Sequence, residues 1–197
     1  MEKLATTLSL VAALVILQPI QTLLKQHSVD ELKLAASPTL TKQARVYLEG
    51  GRVSFVPPAG FTSMTPDEIA LKFPSRGGNP PKYVYANERR SVAIAITFSS
   101  ARLTPQQLGE LKNFMPKFLE KVMPDIKWIQ QDFTAINNVR WVHLEFISRA
   151  IDTNVHNDTY FTSFNGKMLG FNFNSTVEQY EAIKAALHQS RDSITVK

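Results

Sequence analysis

Trp141, His143 and Glu145 stand at alternate positions of one segment, with Val142, Leu144 and Phe146 interleaved. Successive side chains of a β-strand point to opposite faces. As a strand, this segment carries a proton carrier and a carboxylate on one side and apolar bulk on the other. An imidazole beside a carboxylate is the pairing that general acid–base chemistry uses. A groove lining gives this pattern, and so does a sheet face covered by a helix. Of the other histidines, His27 falls in a connecting stretch and His188 lies near Arg191 on a helical segment; each reads as a solvated polar side chain.

The second candidate is the run DTNVHND from Asp152 to Asp158, in which oxygen and imidazole ligands alternate. A helix-loop-helix calcium site wants Gly at its sixth position and Glu at its twelfth. Counted from Asp152, those positions hold Asn157 and Ser163. The run reads as a polar connection between strands, with weak divalent-ion or small-ligand binding at residues 152–158 as an alternative. No Gly-x-Ser-x-Gly elbow occurs, and Gly77-Gly78 before Asn79-Pro80-Pro81 is a turn rather than a phosphate cradle. The sequons at Asn157 and Asn174 matter only in a eukaryotic secretory pathway. Catalytic, cofactor-binding and metal residues are each read as none, and the chain as not an enzyme. The alternative to that reading is an exported hydrolase with an unrecognised site around His143 and Glu145.

These segments need a body to hold them. The chain has 197 residues, 44% of them hydrophobic, enough for a single core with a tail. Lys and Arg outnumber Asp and Glu by 22 to 17, but they are spread along the chain and form no basic helix, so no nucleic-acid partner is read. The absence of cysteine excludes disulfides, thiolate zinc sites, iron–sulfur clusters and a lipid-modified cysteine.

From Leu4 to Leu24 no residue is charged, a stretch of roughly 31 Å as a helix at about 1.5 Å per residue. Its block from Leu8 to Leu17 follows Lys3, the layout of a secretory signal. Small residues suited to a cleavage site are missing directly after it, and Ala35 and Ser37 lie far downstream. Residues 1–24 are therefore read as a signal peptide or an N-terminal membrane anchor, 25–50 as a linker, and 51–197 as one folded domain. Either form of the leader exports the body, so the localisation is periplasmic or otherwise exported, and membrane contact runs through the N-terminal segment.

In the body, strands are expected over Arg52–Val56, Lys82–Ala86, Ser91–Phe98, Lys127–Phe133, Val139–Arg149, Thr159–Phe164 and Lys167–Phe173, with a brief one at Ile194–Val196. Asn137-Asn138 and Asn165-Gly166 supply tight hairpin turns. A short helix follows the N-cap Thr65 and Pro66. Longer helices cover Thr104 to about Val122, with Pro116 placed to kink or divide it, and Val177 to about Ser190. The order lacks βαβ alternation and predicts an α+β fold, an α/β/α sandwich on a mostly antiparallel sheet, with the long helices on one face and shorter pieces on the other.

GRVSFVPPAGF, VYANERRSVAIAITF, IKWIQQDFTAINNVRWVHLEF and TYFTSFNGKMLGFNFN, with the final helix, resemble the PsbP-like and DcrB-like exported proteins over about residues 50–196. The resemblance implies an α/β/α sandwich and a noncatalytic accessory or binding role in the cell envelope, exercised by contact with another envelope protein. It carries over no catalytic or metal residue. The expected contact surface is the less covered sheet face or the aromatics Tyr83, Tyr85, Trp128, Trp141 and Tyr160.

Overall fold

Asn137 and Asn138 sit at φ of 47° and 66°, and Asn165 and Gly166 at 53° and 70°. Consecutive left-handed residues are what a two-residue hairpin turn needs to match the twist of its strands. The computed structural model describes residues 44–73, 80–150 and 153–197. In it these turns join β6 (Lys127–Ile136) to β7 (Val139–Arg149) and β8 (Asn154–Phe164) to β9 (Lys167–Thr176).

The chain opens with β1 (Val46–Leu48), β2 (Val53–Phe55), β3 (Thr62–Ser63), helix α1 (Pro66–Lys72), β4 (Tyr83–Ala86) and β5 (Val92–Arg102). Helix α2 (Leu108–Val122) precedes the meander, and α3 (Val177–Asp192) and β10 (Thr195–Val196) follow it. The main sheet has seven strands in the order β3-β4-β5-β9-β8-β7-β6, and a three-stranded sheet has the order β1-β2-β10. Every pairing is antiparallel.

One face of the main sheet carries Ile94, Ile96, Trp141, Tyr160, Phe171 and Phe173, packed with Leu187 of α3 and with Val53 and Phe55 of the small sheet. Val142, Leu144, Phe146 and Phe161 point to the other face and pack with Leu111, Met115 and Leu119 of α2. Nearby, Ile69 of α1 meets Val84, Ala93 and Ala95. The two long helices thus lie on opposite faces, not on one as expected. The reason is visible in β7: Val142, Leu144 and Phe146 on the even-numbered side call for α2, while Trp141 on the odd-numbered side calls for a cover of its own.

Several local expectations hold. Thr65 caps α1 in a reciprocal box with Glu68, whose carboxylate accepts from the Thr65 backbone N–H at 2.7 Å. Pro116 does not divide α2, which continues as one helix to Val122. The linker boundary shifts: Val46–Leu48, assigned to the linker, pairs with Val53–Phe55. That short strand escaped notice because its partner lies just across the Gly50-Gly51 bend, where both glycines take positive φ. The proposed leader and most of the linker lie outside the described residues. Among the described residues no helix is long and apolar enough to cross a membrane.

Phe171 is fully buried between the rings of Phe55 and Trp141, at centroid distances of 5.6 and 6.1 Å. Phe171→Ala should cost about 3–5 kcal/mol through lost burial and a residual cavity. Denaturant unfolding should show this as a lower midpoint with an unchanged slope.

Candidate functional site

Counting outward from the Asn137-Asn138 turn sets Asp132 opposite His143, and β8 lies against β7 with His143 opposite Tyr160 and Glu145 opposite Asp158. Two carboxylates face each other directly across neighbouring strands. Like charges so placed destabilise a sheet unless something intervenes. The intervening groups are diagonal histidines. His143 Nε2 lies 2.7 Å from Asp158 Oδ1, and His156 Nε2 lies 2.9 Å from Glu145 Oε1.

Rings then close over both pairs. The His143 imidazole stacks on Tyr160 with a centroid distance of 4.6 Å and an interplanar angle of 1°. The His156 ring stacks on Tyr180 of α3 at 3.5 Å. Tyr160 donates its hydroxyl to Asp158 Oδ2 at 3.0 Å and accepts from Arg191 of α3 at 3.3 Å. Tyr180 donates to Glu145 Oε1 at 3.3 Å. Asp132 Oδ1 approaches His143 Nδ1 at 3.4 Å, and His188 Nε2 stands 4.0 Å from Asp158 Oδ2. The result is a buried polar network spanning β6, β7, β8 and α3.

Its electrostatics follow from these contacts. Burial alone pushes the His143 pKa down, but hydrogen bonding and attraction from Asp158, with Asp132 and Glu145 behind it, hold it above the usual imidazole value. Hydrogen bonding from His156 holds Glu145 below the ordinary carboxylate range against the opposing effect of burial. Burial, together with neighbouring carboxylates, raises the phenols of Tyr160 and Tyr180. His188 is lowered, first by burial and then by Arg191.

The structure keeps Trp141, His143 and Glu145 on one face, as their spacing required, but does not make His143 and Glu145 partners. Each pairs with a group from β8 instead. Trp141 and Tyr160 are core residues, while Tyr83, Tyr85 and Trp128 are half-buried against the apolar clusters. Of the five aromatics offered as contact edges, Trp141 and Tyr160 are thus core rather than surface. His188 is half-buried rather than solvated.

The run DTNVHND is not a connection beyond its first residues, since Asn154 to Asp158 belong to β8. Strand alternation sends His156 and Asp158 to one face and Asn157 to the other, so adjacent side chains diverge. Among the described residues no three His, Asp or Glu side chains converge in a way that would hold a metal ion. The sequon residues Asn157 and Asn174 face each other across β8 and β9, buried to 2% and 0% exposure, beyond reach of modification in the folded chain.

With this geometry in view, likeness to solved structures becomes informative. The chain superposes on the cyanobacterial PsbP (CyanoP) of Synechocystis sp. PCC 6803 with a TM-score of 0.57, at 13% identity, covering 84% of this chain and 99% of that one. The fold is PsbP-like. LpqN of Mycobacterium tuberculosis, described as involved in cell envelope biogenesis, superposes with a TM-score of 0.52 at 11% identity, over 79% of this chain and 91% of its own. No family model matches the sequence, and no curated protein matches it. The PsbP-like fold accounts for the sandwich.

Because the Glu145 pKa is depressed, its share of stability is present above the unfolded value of about 4.3 and is lost as pH falls through the lower folded value. Glu145→Gln should therefore flatten the acid limb of the stability curve, measured by urea unfolding at a series of pH values. Asp158→Ala should cost about 3–5 kcal/mol at pH values where His143 carries its proton, because it removes the carboxylate paired with the buried ring.

Proposed function

We propose that this chain is a noncatalytic accessory or binding domain of the cell envelope that works by contact with another envelope protein. The observation that carries this reading is the commitment of His143. One ring nitrogen faces Asp158 and the other faces Asp132, so both nitrogens of the most catalytic-looking side chain are directed at the chain's own carboxylates rather than at a substrate. A general base must reach the proton it abstracts. The same contacts argue against a hydrolase centred on His143 and Glu145, and the divergent side chains of β8 argue against an ion site at residues 152–158. The PsbP-like fold and the apolar leader at residues 4–24 support export.

With helices or the small sheet over both faces of the main sheet, contact falls to its margins. The long margin is β6, ten residues paired on one side only among the described residues, with Ile129 52% exposed at a bulge between Trp128 and Gln130. An open strand edge recognises an extended segment through its backbone groups.

Capture from native envelope fractions with the tagged full-length chain should recover a partner in saturable fashion. Ile129→Lys should weaken that capture by about tenfold while leaving the circular dichroism unchanged. A native chain found in the cytosol, or a substrate turned over by the purified protein, would overturn the reading.

A further inference from the structure

We propose that His143 is a proton-operated clasp that fastens the edge strand β6 to the sheet and releases it when the imidazolium loses its proton. The charged ring bridges three adjacent strands: it stands on β7, meets Asp158 of β8 at 2.7 Å and reaches Asp132 of β6 at 3.4 Å. Only the doubly protonated ring presents a donor to both carboxylates. Once neutral, it leaves one carboxylate facing a lone pair. Asp132 is the one released, because its contact is longer and its side chain is 45% exposed, against 5% for Asp158. The 3.4 Å approach is an ion pair without hydrogen-bond geometry, and among the described residues Asp132 Oδ1 has no hydrogen bond to hold it in the ion pair's stead.

The groups facing the imidazole from every packed element favour this outcome. They are Asp132 from β6, Glu145 on β7, Asp158 and Tyr160 from β8, and His188 and Arg191 from α3. Asp158 keeps Tyr160 as a donor after the proton leaves, whereas among the described residues β6 has β7 as its single neighbour in the sheet. The sign follows by linkage. A raised imidazole pKa stabilises the closed strand at low pH, and that stabilisation is lost as pH rises through the folded value. The device belongs to the chain itself and is independent of which partner it meets.

Hydrogen exchange of the full-length protein, corrected for intrinsic rates, should be followed from about pH 5 to about pH 9 together with the His143 titration by NMR, a range that brackets imidazole ionisation. Residues 127–136 should open more readily as His143 deprotonates, while β8 and β9 keep their protection. Asp132→Asn should lower the His143 midpoint and abolish the step. The increase in opening should equal about tenfold for each unit by which that midpoint falls. Protection of β6 that ignores the His143 titration, or that is lost in all strands together, overturns the proposal. Should Asp132→Asn not fold, coincidence of the wild-type exchange step with the His143 midpoint decides it alone.

Discussion

Glu145 and Asp158 are held opposite each other in the middle of a sheet, and the arrangement of the surrounding side chains is an answer to that opposition. Coulomb repulsion between two carboxylates is several-fold larger in a protein interior than in water. The answer comes from both directions along the strands, as His143 crosses to Asp158 and His156 crosses to Glu145. It also comes from above, where Tyr180 and Arg191 of α3 complete the hydrogen bonds. These two residues, eleven positions apart, share the helix face that also carries Leu187 into the core. The docking of α3 is therefore set by polar contacts at both ends and apolar packing between them.

The two faces of the sheet solve burial differently. Under α3 and the small sheet, Phe55, Tyr85, Trp141 and Phe171 interlock edge to face, and Phe173 stacks on Phe171. Under α1 and α2, two apolar clusters are divided by a polar stripe in which Thr159 donates to Asn172 Oδ1 at 2.9 Å. Helix α1 adds another buried polar group: Lys72 donates to the Arg90 carbonyl, and burial, with Arg90 nearby, pushes its pKa down to about 8.

The elements legible in the sequence were those whose signals are local. Asn137-Asn138 and Asn165-Gly166 announced their turns, Thr65-Pro66 announced α1, and the alternation through β7 announced which residues share a face. The partners of His143 were also within reach, since counting back from Asn137-Asn138 places Asp132 across from it. What stayed hidden depended on the β7 to β8 connection, whose residues carry no short-turn signature to fix a register. Without that register Asp158 and His156 read as parts of a loop. The side of the sheet each helix covers was equally non-local, because amphipathic spacing says that a helix buries a face but not against which surface.

Strand β2 lies between β1 and β10, the first and last strands described, and Lys197 donates its backbone N–H to Arg52 at 2.9 Å. Strand β5 likewise waits for β9, with Ile94 against Phe173. A ribosome delivers residues in order, so β2 gains β10 only after the whole meander has emerged, and contacts of such long sequence separation form slowly. Assembly therefore grows outward from the locally wired hairpins of the meander, and the corner where β2 meets β10 is the last to close.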